Sequence, residues 1–399
     1  MKFASCPLPL APCPLPLALC PLPFAFCLLP LPFLTSMMPS FFVDPDISVA
    51  RTLDTSFYTD PGVFEDCKQS IFSRSWQFCG DTDLIKEAGQ CHPFTLLEGY
   101  LNEPLLLSRD KENGIHCLSN VCTHRGTIVV NGPCKVSRLR CRYHGRIFRL
   151  DGKFVSMPEF QEVKDFPSAE DDLKNLPLFR WGKWLFTSIG PQFNAEIFFG
   201  QLIERLGWLP VEEFELRRDL CREYTVKAHW ALYCENYLEG LHIPFVHASL
   251  NSVIDFGNYS TELFPYSNLQ LGIAKTDEYS FDLPQNSPDF GKDVAAYYFF
   301  VFPNMMFNFY PWGLSINIVQ PVSMELSKVN FLTYVWKEEK LNTGAGSALD
   351  KVEREDEEVV EAVQRGIRSN FYHHGRYSVT RELGTHHFHR LIAAFMQSS

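Results

Sequence analysis

Between residues 70 and 190 the apolar residues fall in short runs, HPFTLLEG, EPLLLSRD, IHCLSN, TIVVNGP, RIFRLDGKF and WLFTSIG, punctuated by Gly, Pro, Asn and Asp. Runs of that length between turn residues predict the strands of a small antiparallel β domain with few helices. Past Pro191 the period changes: EIFFGQLIERLGWL spaces its apolar residues as a helix does and leads into REYTVKAHW. AAYYFFVFPNMMFNFY, LSINIVQPV and VNFLTYVWK then read as aromatic-rich strands. After a loop over 342–347, the charged, periodic stretch from Asp350 to Ile367 predicts an amphipathic helix lying on the surface. The expected fold is α+β, with an antiparallel β domain within 40–191 and a larger α+β domain with a central antiparallel sheet over 192–399.

Residues 1–39 break this pattern. CPLPLAP, CPLPLAL, CPLPFAF and CLLPLPF follow one another every seven residues and put Cys6, Cys13, Cys20 and Cys27 in register. Their prolines remove backbone donors and fix φ, so no continuous helix forms. That excludes an ordinary membrane-spanning helix and spoils the apolar helix of a secretory signal. We expect this leader to lie outside the fold, with the native start at Met37 or Met38.

Composition narrows the function classes. Hydrophobic residues at 46% and aromatics at 14% supply ample material for burial, and 399 residues suit two domains. A formal net charge of −11 argues against nucleic acid or an anionic membrane as partner, since both call for basic surfaces. Thirteen cysteines would suggest a disulfide framework, but four belong to the leader and two others fall in a metal-ligand pattern. A reducing, cytoplasmic location is the expectation.

That pattern is Cys122-Thr-His124, sixteen intervening residues, then Cys141-Arg-Tyr-His144, each pair at a turn after a strand-like run. Two loops of one β domain could meet around a metal centre. Two thiolates with two imidazoles suit either a tetrahedral zinc or a 2Fe-2S cluster with both cysteines on one iron and both histidines on the other. A zinc finger groups its cysteines apart from its histidines, whereas here each loop supplies one of each. A second constellation lies in WALYCENYLEGLHIPFVH, residues 230–247. Glu239 and His242, three apart, share a face if the segment is helical, and Pro244 should end regular helix before His247, returning the second histidine to the same point from another direction. Two imidazoles and a carboxylate with open positions are what a non-haem Fe(II) oxygenase needs.

CTHRG followed by CRYHGRIF resembles the Rieske domain of ring-hydroxylating oxygenases, and the 230–247 segment resembles the catalytic-domain motif of the same family. The resemblance implies that Cys122, His124, Cys141 and His144 hold one [2Fe-2S] cluster, and that His242 and His247 bind a mononuclear Fe(II). The EAVQRG ending of EREDEEVVEAVQRG places the third ligand at Asp356, with Glu355 and Glu357 close by in sequence. On a helix Glu355 and Asp356 point about 100° apart, so only one should face the iron. Glu239 and Asn236 are the implied catalytic positions, Glu239 by hydrogen bonding to His144 of the partner subunit, which implies a homotrimer. The family's catalytic domain is of the helix-grip, START-like kind. Arg142 and Arg146 depart from the commonest family form, in which proline and tryptophan stand there; both are expected either as solvated surface arginines or as charges tuning the cluster or marking a docking surface.

The resemblance implies an oxygenase component that passes electrons through the cluster to the iron and uses O2 to hydroxylate an organic substrate. No G-x-G-x-x-G is complete at Gly344 and Gly346, where Leu349 stands in the third place, so a separate reductase or ferredoxin is the expected donor. From residue 40 onward, including VEAVQRGIRSNFYHHGRYSVTRE and HHFHRL, the chain looks closest to single-subunit oxygenases, a group that includes choline monooxygenase and related quaternary-amine oxygenases. The substrate is thus an aromatic ring or a quaternary amine. Phe307, Phe309, Tyr310 and Trp312 are candidates for a cage around a trimethylammonium group, or else alternate strand residues of a core. His386, His387 and His389 are expected to serve a core or surface cluster rather than a third metal. The rival readings are a Rieske electron carrier without oxygenase activity and a zinc-stabilised binding module.

Overall fold

A computed structural model describes residues 41–347 and 349–397. The leader repeat and its four cysteines lie outside the described residues. Among those described, no helix is long and apolar enough to cross a membrane.

The expected β domain is present. Gln90–Leu96, Glu103–Arg109 and Ile115–Ser119 pair antiparallel in sequence order, with the short strands Cys134–Lys135 and Asn175–Leu176 at the two edges. A second small sheet joins Leu139–Arg140, Ile147–Phe148 and Phe154–Ser156. Leu106, Leu118, Val129, Leu139 and Phe148 form the core between them, and Cys122 and Cys141 are buried in it. A third sheet, Gln77–Asp81 with Leu178–Trp181 and Trp184–Thr187, leads toward the larger domain.

The larger domain is built on an eight-stranded antiparallel sheet. Ser260–Leu263, Ser267–Ile273, Val294–Val301, Met305–Tyr310, Gly313–Ser323 and Leu326–Val335 run as a meander, each paired to the next. Glu215–Leu216 and Arg222–Val226 pair with the last of them. Strand alternation divides the aromatic run cleanly. Phe307 and Phe309 point to one face and pack on Trp181, at ring-centroid distances of 6.2 and 5.9 Å. Asn308 and Tyr310 point to the other face. Of the two readings of these residues, the core holds for Phe307 and Phe309, and Trp312 stacks beneath Tyr310 at 5.2 Å.

Helices cover the sheet. The helices Ala195–Arg205 and Leu349–Gly366 lie where the sequence places them. The second does more than lie on the surface, because its buried positions are Glu353, Val360 and Gln364, two of them polar. The short helices Ser56–Thr59 and Pro61–Cys67 and the final helix Leu383–Gln397 carry no strong sequence signal, yet Phe57, Phe64 and Phe388 join the large core. Gly384 opens that last helix against the turn after Tyr237; a Cβ there would sit 2.3 Å from the carbonyl oxygen of Leu238.

Candidate metal centres

Two loops of the β domain repeat one backbone design. The Cys122 amide donates to the Thr127 carbonyl, and the Gly126 amide donates to the Cys122 carbonyl, at 2.8 and 2.9 Å. The second loop repeats this pattern: the Cys141 amide donates to Arg146 and the Gly145 amide to Cys141, at 2.8 and 3.1 Å. Gly126 and Gly145 hold φ of +70° and +76°, the left-handed region where a side chain is strained. A glycine four residues after each cysteine is thus the signal that sequence reading passed over. The loops bring the Nδ1 atoms of His124 and His144 to 3.0 Å, with both cysteines unpaired behind them. Burial raises the Cys122 thiol, and proximity to His144, Arg125 and Arg146 adds to desolvation in lowering His124.

Donor spacing separates the two metal types. Around one tetrahedral zinc, four N and S donors sit roughly 3.5–4 Å apart. Among the described residues the one group of three or more such donors within 4.8 Å of one another is His242, His247 and Asp356. The four Cys and His donors do not form such a group; the two imidazoles meet each other with the cysteines behind them, which fits a cluster with sulfur at one end and nitrogen at the other.

Arg142 is exposed, as a solvated arginine would be, but Arg146 is only 2% exposed. Its guanidinium donates to Asp171 Oδ1 at 2.5 Å and lies over Phe154 and Phe166, 4.9 and 5.5 Å from their centroids. Thr123 of the first loop donates to the Asp171 carbonyl at 2.8 Å, so one residue fastens both loops. The solvated reading of Arg146 is corrected on this ground: a ring of phenylalanines and a carboxylate give a planar cation a buried place.

The second centre forms where three elements meet. Trp230–Tyr237 is helical, capped by His229, whose Nδ1 accepts from the Ala231 amide at 3.3 Å. Glu239 and His242 do meet, but through the turn after that helix rather than on its face. Glu239 Oε1 is 2.6 Å from His242 Nδ1, and its other oxygen accepts from the amides of Leu241 and His242. Pro244 starts rather than stops helix, sitting in the first turn of Ile243–Val246, where its missing N–H costs nothing. His247 follows at once, 1% exposed. Its Nε2 is 3.0 Å from Asp356 Oδ1, and the His242 Nε2 is 3.6 Å from the same oxygen.

Each of these three groups has a second partner that fixes its direction. Asn236 donates to Asp356 Oδ1 at 2.5 Å, Glu239 holds His242, and Glu355 Oε2 is 2.8 Å from His247 Nδ1. Glu355 and Asp356 therefore take opposite nitrogens of one imidazole. Burial works to lower the His247 pKa, but Asp356 and Glu355 outweigh it and hold the ring above its ordinary value. Such an acidic nest favours positive charge at this point and could hold a divalent cation through two neutral imidazoles and a carboxylate.

A cavity of about 110 Å³ opens beside it. One wall is a cross-strand row: Gln270 pairs with Tyr298, Tyr298 with Asn308, and Asn308 with Ser315. Tyr310 and Asn317 are two residues further along their strands, on the same face. The opposite wall is Leu349, Val352, Glu353 and Asp356, the inward stripe of the Leu349–Gly366 helix. The three C-terminal histidines stay out of this site and serve the core. His386 bonds the Asp44 carbonyl, and His389 lies between Tyr377 at 2.6 Å and Glu235 at 3.1 Å.

Comparison with known proteins assigns both parts of the chain to known domain families. The description Rieske [2Fe-2S] domain matches residues 75–167, and ring hydroxylating alpha subunit (catalytic domain) matches residues 208–398. The chain is 31% identical over 371 residues to the chloroplastic choline monooxygenase of Arabidopsis thaliana, covering 88% of this chain and 84% of that one. It is 28% identical over 382 residues to the carnitine monooxygenase oxygenase subunit of Escherichia coli, covering 90% and 99%. Among solved structures it shares the fold of a quaternary ammonium Rieske monooxygenase in complex with L-carnitine, with TM-score 0.68, 23% identity and coverage of 88% and 97%. It likewise shares that of naphthalene 1,2-dioxygenase from Rhodococcus sp. bound to indole, with TM-score 0.70, 17% identity and coverage of 87% and 95%.

Proposed function

This chain belongs to the family of Rieske-type oxygenase alpha subunits, and on that footing we propose that its substrate is a small quaternary ammonium compound. Its cofactors are one Rieske [2Fe-2S] cluster and one mononuclear iron, and it needs an electron-transfer partner and a small-molecule substrate. When bound, the cluster supplies single electrons and the iron supplies the activation of O2 for hydroxylation. In our reading residues 40–191 carry the cluster through Cys122, His124, Cys141 and His144. Residues 192–399 carry the iron through His242, His247 and Asp356. Asn236 positions the Asp356 carboxylate, Glu355 fixes the tautomer of His247, and Glu239 orients His242. The working unit in this reading is a homotrimer, in which Glu239 also faces His144 of the partner subunit, and a separate reductase or ferredoxin delivers the electrons.

The observation that carries the substrate is the cavity lining. Tyr237, Tyr259, Tyr298 and Tyr310 surround a small space that also holds Glu239, Glu353 and Asp356. Aromatic faces attract a quaternary ammonium through their quadrupoles, and desolvation strengthens that attraction. Three carboxylates on the wall support a cation over a fused-ring hydrocarbon, which offers them no charge. With a surrogate reductase, O2 uptake should couple to product with a small quaternary ammonium such as choline and not with naphthalene. Coupled turnover of naphthalene alone would sink the proposal.

A further inference from the structure

The polar groups of the cavity wall can be accounted for one by one. Tyr233 donates to Glu353 Oε2 at 2.5 Å, Tyr237 to Asn308 Oδ1 at 2.7 Å, Asn236 to Asp356, and Ser315 to Asn317 Oδ1 at 2.7 Å. Gln270 Nε2 donates to the Tyr237 carbonyl at 2.6 Å, which fixes the orientation of its amide. Two buried side-chain atoms of the lining are left without a partner, Gln270 Oε1 and Glu353 Oε1. Gln270 is 1% and Glu353 4% exposed, so water at the protein surface does not satisfy them. A buried polar atom with no partner costs about 1–3 kcal/mol, so both call for a ligand that brings a donor.

The charges on the wall agree. Its acidic members are Glu239, Glu353 and Asp356, and it has no lysine or arginine. A carboxylate tail is acceptor-only and would find no lysine or arginine to pair with here. Burial first, then Asp356, Glu357 and Asp350, raise the Glu353 carboxyl to about 8. Iron on Asp356 and an ammonium in the cavity both oppose that rise and favour Glu353 as an ionised acceptor, whereas an anion would add to it.

We propose that Glu353 and Gln270 form the polar pole of the substrate cavity, selecting a quaternary ammonium that carries a hydroxyl donor and excluding one that carries a carboxylate. This rests on the reading that the substrate is a quaternary ammonium, with the tyrosines holding its methylated head. Glu353 and Gln270 are then specificity residues on opposite walls, one from the helix and one from the sheet.

The test is equilibrium binding to the anaerobic holoenzyme, read by calorimetry with three probes: choline, carnitine and tetramethylammonium. Choline should bind about tenfold or more tightly than either of the others, the scale of one hydrogen bond to a charged or buried acceptor. In Glu353→Gln, and separately in Gln270→Met, the preference for choline over tetramethylammonium should shrink toward unity while tetramethylammonium affinity holds. Carnitine binding as tightly as choline in the unaltered enzyme overturns the proposal, as does a choline preference that survives both substitutions. If none of the three probes binds, the quaternary ammonium reading itself fails and takes this one with it.

Discussion

The cluster loops and the iron pocket solve the same task, holding a metal, by different means. Within each cluster loop the fixing interactions are local and made by backbone, a cysteine amide, a glycine four residues on and a carbonyl one further, and Asp171 then fastens the two loops together. In the iron pocket they are made by side chains from remote segments, His247 and Asp356 being 109 positions apart in sequence. Local backbone geometry survives the loss of distant contacts. A pocket assembled from side chains does not, so the two centres should respond differently to the same perturbation.

The largest separation should come from His242→Ala, which removes a donor from the pocket without touching the loops. Iron beyond the cluster's own should vanish from metal analysis, and oxygenation with it, while the visible spectrum of the cluster stays unchanged. Joint loss of both signals would erase the contrast drawn here.

Acid offers the next largest effect. His229 is fully buried, and desolvation lowers its pKa from 6.5 to about 3. In the unfolded chain it takes a proton below about 6.5, but the folded chain refuses it until about 3. Its stabilising share is therefore complete above 6.5 and drains away as pH falls toward 3, by up to roughly 5 kcal/mol. Because His229 caps the helix that bears Asn236, hydrogen exchange should show 230–237 opening before the cluster loops, and His229→Gln should move that opening to lower pH.

Arg146→Met aims at the loops instead. It strands Asp171, which is partly exposed, so the cost should be roughly 2 kcal/mol rather than that of a fully buried pair. Denaturant titration followed by cluster absorbance should show earlier bleaching with the iron pocket intact. The smallest effect expected is from Asn236→Ala, which removes a group that positions Asp356 but keeps all three donors. Iron affinity should fall about 10–100-fold with cluster content unchanged, as measured by competition with a chelator.

What could be read from the chain follows the same division. The β domain, the strand meander and the helix after residue 349 were legible, because each rests on period or turn chemistry within a short window. The Cys and His loop pattern was legible for the same reason. The remote carboxylate needed family likeness to pick Asp356 out of an acidic run, since a single acidic residue has no local signature. The misreadings concern orientation and depth. Glu239 and His242 were expected on a helix that ends at Tyr237, and Pro244 was expected to stop a helix that it begins. Arg146 reads as polar and exposed until Phe148, Phe154 and Phe166 close around it. For Phe307 and Phe309 both a core and a cage reading were open, and the core reading holds, because the facing set by strand alternation depends on register, which the run MMFNFY does not reveal alone.

The close seat of Gly384 on the Leu238 carbonyl, together with His389 against Glu235, has a bearing on synthesis. A ribosome releases this chain from its amino end, so both cysteine loops and their Asp171 fastener emerge more than two hundred residues before the last helix. The turn that leads to His242 therefore gains its packing against Gly384 only after the Leu383–Gln397 helix has been made, long after the residues of both loops are in place.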